Sequence, residues 1–91
     1  MKEVRYSTKA KKDLKKYRND TAKMQELFHV LTMLAQGETL PPQYRAHTLS
    51  GNYKDCMECH VGSDFLLIWI ENDAICVERI GSHSELFGKK K

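Results

Sequence analysis

The sequence has few residues that interrupt helices and strands, with two prolines and five glycines, and few that can form disulfides, with three cysteines. It contains one tryptophan. No apolar run approaches the roughly 20 residues that a membrane-spanning helix needs, and residues 1–5 lack the apolar core of a signal peptide. We therefore expect a cytoplasmic protein without a membrane segment, whose cysteines are free thiols rather than disulfides.

Charged residues are plentiful, and the basic ones are clustered. Fifteen Lys and Arg stand against twelve Asp and Glu, which gives a formal net charge of +3. One basic cluster lies within residues 9–18 and a second occupies residues 89–91. Such clusters fit a phosphate backbone or an acidic protein partner, but a solvated helix face and a frayed end explain them equally well.

The first half of the chain predicts a short strand followed by two helices. Residues 4–7 alternate apolar and polar side chains, which is typical of a strand. Ser7 or Thr8 can cap a helix that runs to about residue 18, and Asp20 or Thr21 can cap a second helix that ends near residue 37. The second helix carries an apolar stripe that we expect to face the core: Met24, Leu27, Phe28, Leu31, Leu34 and Ala35.

The second half predicts a loop and then a sheet. Residues 38–50 hold both prolines, and strand-like runs follow at 53–61, 65–71 and 74–81. The middle run is apolar on both faces and belongs at the centre of the sheet, while the Asn-Asp pair at 72–73 suits a tight hairpin. We expect one α+β domain over residues 1–91, with two N-terminal helices packed on one face of an antiparallel sheet in the order β-α-α-β-β-β. The other face would be free to hold a substrate.

Three histidines and one aspartate fall outside the apolar pattern. His47 lies in the predicted loop, His60 at the end of a strand, Asp64 in a turn and His83 just after the last strand. Consecutive antiparallel strands can bring such positions together at one end of a sheet. Because imidazoles titrate near neutral pH, a cluster of this kind suits acid–base catalysis. His29, inside the second helix, is expected to be a surface or structural residue.

The run CMECH at 56–60 fits the pattern of c-type haem attachment and half of a zinc knuckle. In a strand, residues three apart point to opposite faces, so Cys56 and Cys59 cannot grip one group together. The sequence offers no second cysteine pair to complete a zinc site. We therefore expect buried or half-buried cysteines and no metal or other cofactor.

Three blocks of sequence carry a family resemblance. Residues 44–54 (YRAHTLSGNYK) contain His-x-Leu-x-Gly and an aromatic–Lys pair, and residues 60–64 (HVGSD) lead into the apolar central strand. Residues 78–88 (ERIGSHSELFG) contain Arg-x-Gly-Ser-His-x-x-Leu-Phe. In this order, behind a strand–helix–helix segment, the blocks resemble the YafQ-type mRNA interferase toxins of the RelE/ParE superfamily. The resemblance spans the whole domain.

The resemblance implies the toxin of a type II toxin–antitoxin system. Such a toxin is a ribosome-associated endoribonuclease that cleaves mRNA without a metal, with the RNA 2′-hydroxyl as the nucleophile. Its partners would be the mRNA, the ribosome and a cognate antitoxin protein that also binds DNA.

The resemblance also implies a set of site residues. The ribonuclease site would comprise His47, His60, Asp64, His83 and Phe87. His83 is expected to be the general acid and His60 or Asp64 the base. His47 would help to hold the phosphate and share proton transfer, and Phe87 would stack on a base of the message. Lys54 and Arg79 are expected to bind the substrate phosphates.

Three other functions remain open from the sequence. A ParE-like toxin that inhibits DNA gyrase shares the fold but has no need of the histidine and aspartate set. A redox or metal module would depend on the cysteines. A passive RNA-binding domain would hold the message without cutting it.

Overall fold

The computed structural model describes residues 1–88, which form a five-stranded sheet with helices packed on it. The strands are β1 (Glu3–Tyr6), β2 (His47–Thr48), β3 (Met57–Gly62), β4 (Phe65–Glu71) and β5 (Ala74–Gly81). The helices are α1 (Thr8–Tyr17), α2 (Thr21–Ala35) and α3 (His83–Phe87), and 3-10 turns lie at Pro42–Tyr44 and Gly51–Tyr53. This arrangement confirms the predicted α+β fold; the basic residues 89–91 lie outside the described part of the chain.

The helices begin where short polar side chains cap them. The Ser7 hydroxyl accepts the Ala10 N–H at 2.9 Å, and the Asp20 carboxylate accepts the Lys23 N–H at 3.2 Å. In α2 the prediction for Phe28 is wrong, because its side chain is 47% exposed. The buried stripe is centred near Leu27, and the next residue lies about 100° around the helix, outside the stripe.

The sheet order is β1-β5-β4-β3-β2, so the apolar β4 is central, as predicted. Its neighbours β3 and β5 are antiparallel to it, and a two-residue loop joins β4 to β5. β1 instead pairs parallel with β5, with Glu3 opposite Ala74, which makes the sheet mixed rather than wholly antiparallel. The two-residue strand β2 is a second addition, inside the predicted loop.

The face of the sheet away from α1 and α2 is not as open as predicted. Leu66 and Ile68 of β4 point to this side and are fully buried. Leu86 of α3 covers them together with Cys56, Leu49 and Tyr53. An apolar central strand needs cover on both faces, and the chain supplies it from the loop before β3 and from α3, a helix that the predicted order β-α-α-β-β-β does not include.

The cysteines lie on opposite faces, as predicted. Cys59 packs under the helices and Cys56 belongs to the cluster on the other face. Burial raises the pKa of the Cys59 thiol to about 12, and burial also raises the pKa of Cys56. Within residues 1–88, no helix is long and apolar enough to cross a membrane.

Candidate active site

His83 and Asp64 meet where α3 approaches the turn between β3 and β4. Asp64 Oδ1 accepts the backbone N–H of His83 at 2.9 Å and lies 2.7 Å from its Nδ1. These two hydrogen bonds, the backbone one first, hold the pKa of Asp64 below its usual value. An ionised Asp64 therefore accepts a hydrogen bond from the protonated Nδ1 of His83. This orientation leaves Nε2 of the same ring available to contact a substrate.

A row of rings extends from this pair in both directions. The ring centroid of His60 lies 5.7 Å from that of His83, and the centroid of Phe87 lies 6.4 Å away. Tyr53 packs edge-on against Phe87 at 5.6 Å. Phe87 is 43% exposed, which leaves ring surface for a stacking partner. The structure thus brings together four of the five predicted residues: His60, Asp64, His83 and Phe87.

His47, the fifth residue, lies on β2 against a buried acid. Its Nε2 is 3.0 Å from the carboxylate of Glu58, and its Nδ1 is 2.8 Å from the Arg45 carbonyl oxygen. Glu58 is 4% exposed and precedes His60 by two positions on β3, so the two side chains share a face. Since a carbonyl oxygen only accepts hydrogen bonds, Nδ1 of His47 is the donor to Arg45, while Nε2 faces the Glu58 carboxylate.

The two predicted phosphate-binding residues have different surroundings. Lys54 is exposed after the turn Gly51–Tyr53. Arg79 is half-buried, and its Nε and Nη2 donate to the Asp13 carboxylate at 2.8 and 3.2 Å. Its side chain also lines a cavity of 350 Å³ beside Tyr53 and Lys9. The ion pair with Asp13 occupies two of its nitrogens, so only Nη1 lies outside these bonds.

Sequence reasoning missed three residues that support the cluster. Glu58 holds His47, Tyr53 donates to the Leu86 carbonyl at 3.2 Å, and Glu85 closes a capping box at the start of α3. Two of them had a signal. Ser-x-x-Glu at 82–85 is the spacing of a capping box, and a glutamate inside the apolar strand run at 57–61 requires a buried partner.

The donor set suits proton transfer. Within residues 1–88, no group of three His, Cys, Asp or Glu side chains is placed to hold a metal ion. At the end of the sheet the fold brings together two imidazoles, one carboxylate and an exposed aromatic ring, and a third imidazole, His47, lies against Glu58 on β3. The fold and the site therefore define an α+β protein with the groups of an acid–base catalyst.

Comparison with known proteins identifies the family. The model of the family described as "Bacterial toxin of type II toxin-antitoxin system, YafQ" matches residues 2–88, and the chain belongs to this family. The mRNA interferase toxin YafQ of Escherichia coli K12 is 33% identical over 88 residues, which cover 94% of this chain and 96% of the relative. The family recognised from the three sequence blocks is confirmed.

Solved structures agree with this assignment. In the crystal structure of the E. coli DinJ–YafQ toxin–antitoxin complex, the matching chain has a TM-score of 0.84 and 32% identity, with 96% of this chain and 98% of that one covered. A metal-bound toxin from Helicobacter pylori has a TM-score of 0.86 and 37% identity, with 96% and 100% covered.

Proposed function

We propose that this protein is an mRNA interferase, an endoribonuclease that cleaves messenger RNA on the ribosome with the RNA 2′-hydroxyl as the nucleophile. The contact of His83 with Asp64, beside the ring of His60, is the observation that carries the proposal. The name of the E. coli relative, an mRNA interferase toxin, supports the same activity. Cleavage by this route needs an acid, a base and positive charge, without a metal.

His83 is the general acid in this proposal. Asp64 fixes the ring through its contact with Nδ1, so that Nε2 is directed to pass a proton to the departing 5′-oxygen. Asp64 is already engaged by two hydrogen bonds from His83. This arrangement favours His60 over Asp64 as the base that removes the 2′-hydroxyl proton.

The remaining residues supply charge and stacking. His47, held beside the carboxylate of Glu58, helps to bind the phosphate and shares proton transfer. Phe87 stacks on a base of the message through its exposed face. Lys54 and the Nη1 group of Arg79 bind the phosphates on either side of the cleaved bond.

Primer extension on a translated message, with and without the protein, tests the proposal. We expect new 5′ ends in frame with the codons, and no such cuts on the same RNA without ribosomes. Loss of plasmid supercoiling before any RNA cut would instead support the ParE-like inhibition of gyrase. Binding to the ribosome without cuts would support a passive RNA-binding domain.

The antitoxin is assigned to a groove between α1 and α2. This groove has a volume of 530 Å³, and its walls combine basic and apolar side chains: Lys11, Lys12, Leu14, Lys15, Arg18, Met24 and Phe28. Such a lining fits an acidic, amphipathic segment, whose apolar side would cover the exposed ring of Phe28. The DinJ–YafQ complex shows that a relative assembles with its antitoxin.

Phe28→Asp is expected to weaken binding of the cognate antitoxin by at least about tenfold, because it replaces an apolar anchor with a charge that repels an acidic partner. Cleavage of mRNA by the free toxin should not change. Titration calorimetry measures the affinity, with His29→Asp, the neighbouring exposed position, as the matched control. Equal affinities for the two variants would place the antitoxin elsewhere.

A further inference from the structure

The helix that carries His83 and Phe87 is too short to be stable alone. α3 has five residues, whereas isolated helices shorter than about 12 residues are marginal in water. Its position therefore depends on contacts with the rest of the fold. Leu86 provides one by burial, and Asp64 provides another through the His83 N–H.

Glu85 provides a third anchor, which crosses to α1. Its Oε1 accepts the Ser82 N–H at 2.8 Å, while the Ser82 hydroxyl accepts the Glu85 N–H at 3.2 Å. The same Oε1 accepts the Tyr17 hydroxyl, and Oε2 accepts the Lys16 ammonium. One carboxylate thus caps α3 and ties it to the last turn of α1.

The α1 side of this link is itself held in place. The Tyr17 ring packs edge-on against Phe65 in the core, with centroids 4.9 Å apart. Bonds from Lys16, Tyr17 and the Ser82 backbone lower the pKa of Glu85 to about 2, so the carboxylate is ionised near neutral pH. Burial raises the pKa of Tyr17, which stays a phenol donor.

Gly81 leaves the space that the carboxylate of Glu85 occupies. A Cβ built at this position would lie 2.6 Å from Glu85 Oε1, closer than real contacts allow. The glycine that precedes Ser82 and His83 in the sequence is therefore the residue that lets Glu85 fold back over the start of α3.

We propose that Glu85 is a positioning residue of the ribonuclease site, which, through Tyr17 and Lys16, fixes α3 so that His83 meets Asp64 and Phe87 stays in the row of rings. The inference rests on the proposed function for its kinetic consequence. Glu85 itself acts through the helix, because its carboxylate is directed to α1 and to the Ser82 backbone.

Two substitutions of Glu85 separate this role from simple loss of a side chain. Glu85→Gln keeps an oxygen that can accept from Ser82 and Tyr17, and glutamine is suited to this capping-box position. Glu85→Ala keeps neither bond. We expect Glu85→Ala to lower the single-turnover rate of message cleavage at saturating toxin about ten- to a hundredfold, with the half-saturating concentration little changed. Glu85→Gln should retain most of the rate.

Tyr17→Phe tests the link from the α1 side, because it removes only the phenol donor. Its cleavage rate should lie between those of wild type and Glu85→Ala. Glu3→Ala is the matched control, since Glu3 makes an exposed ion pair with Arg5 on β1. This control should cleave at the wild-type rate.

Hydrogen exchange provides a readout that does not depend on activity. The Leu86 and Gly88 amides donate to Ser82 and Ser84 carbonyl oxygens within α3. In Glu85→Ala these two amides should lose protection while those of β4 and β5 keep it; in Glu85→Gln all should stay protected.

Two results would overturn the inference: a Glu85→Ala protein that cleaves at the wild-type rate, or one that loses activity while the α3 amides remain protected. A wild-type protein that cuts no message would instead refute the proposed function. The exchange data would then still decide whether Glu85 holds α3.

Discussion

Replacing His83 by alanine is expected to lower the rate of message cleavage by about 10²- to 10⁴-fold, the range for loss of one general acid. The 5′-oxygen would then leave without a proton, since Asp64 is ionised and cannot donate one. The fold should survive, because the His83 side chain is exposed and its backbone N–H still reaches Asp64. Primer extension over a time course measures the rate.

His29→Ala is the matched control for this substitution. His29 is exposed on α2, which packs on the other face of the sheet, so its removal should leave cleavage unchanged. A His83→Ala protein that cleaved at the wild-type rate would refute His83 as the acid. His60, the proposed base, would then act together with a different residue as the acid.

Replacing Asp13 by alanine is expected to cost about 3 kcal/mol of unfolding free energy, because it leaves a half-buried guanidinium without its counter-charge. Asp13 accepts two bonds from Arg79 and the Ile80 N–H at 2.9 Å, and its side chain is 13% exposed. This carboxylate therefore accepts a backbone N–H in the part of β5 that extends beyond its pairing with β1, as well as balancing a charge. Urea unfolding measures the loss, if the slope with denaturant is unchanged.

A second ion pair supplies the contrast. Lys2 and Glu71 also pair across a long sequence separation, but their side chains are 35% and 39% exposed. Lys2→Ala, which removes only the exposed cation of this pair, should therefore cost no more than about 0.5 kcal/mol. A double variant with Asp13→Ala and Arg79→Met should recover part of the loss, since no unpaired charge remains. Similar costs for Asp13→Ala and Lys2→Ala would contradict this account.

The sequence was sufficient for the elements whose signals are local. Ser7 and Asp20 begin the helices by capping them, and the apolar run of β4 predicted its central place. Phe28 was assigned wrongly because Met24 at i−4 and Leu31 at i+3 are apolar, whereas burial depends on which side of the helix meets the sheet. The parallel pairing of β1 with β5 depends on a contact about 70 residues apart, which no local pattern encodes.

The types of the candidate site residues could be predicted from the sequence, but the residues with which they form hydrogen bonds and ion pairs could not. Three histidines and Asp64 stood out because they interrupt the apolar pattern and match a family motif, and the fold brings His60, Asp64 and His83 together. Glu58 was overlooked because a charge within a strand is ordinarily assigned to solvent. The sequence predicts Arg79 as a phosphate-binding residue but gives no sign that Asp13, 66 residues earlier, pairs with it.

The order of strands in the sheet constrains how the protein can be made. β1 precedes its hydrogen-bonding neighbour β5 by about 70 residues in the chain, so β1 is synthesised well before β5. At a synthesis rate of about 5–20 residues per second, several seconds pass before β1 can pair with β5. The helix bearing His83 follows β5, so the contact between His83 and Asp64 cannot form until that helix has been made. During synthesis, the acid of the proposed ribonuclease site is therefore among the later parts to be added.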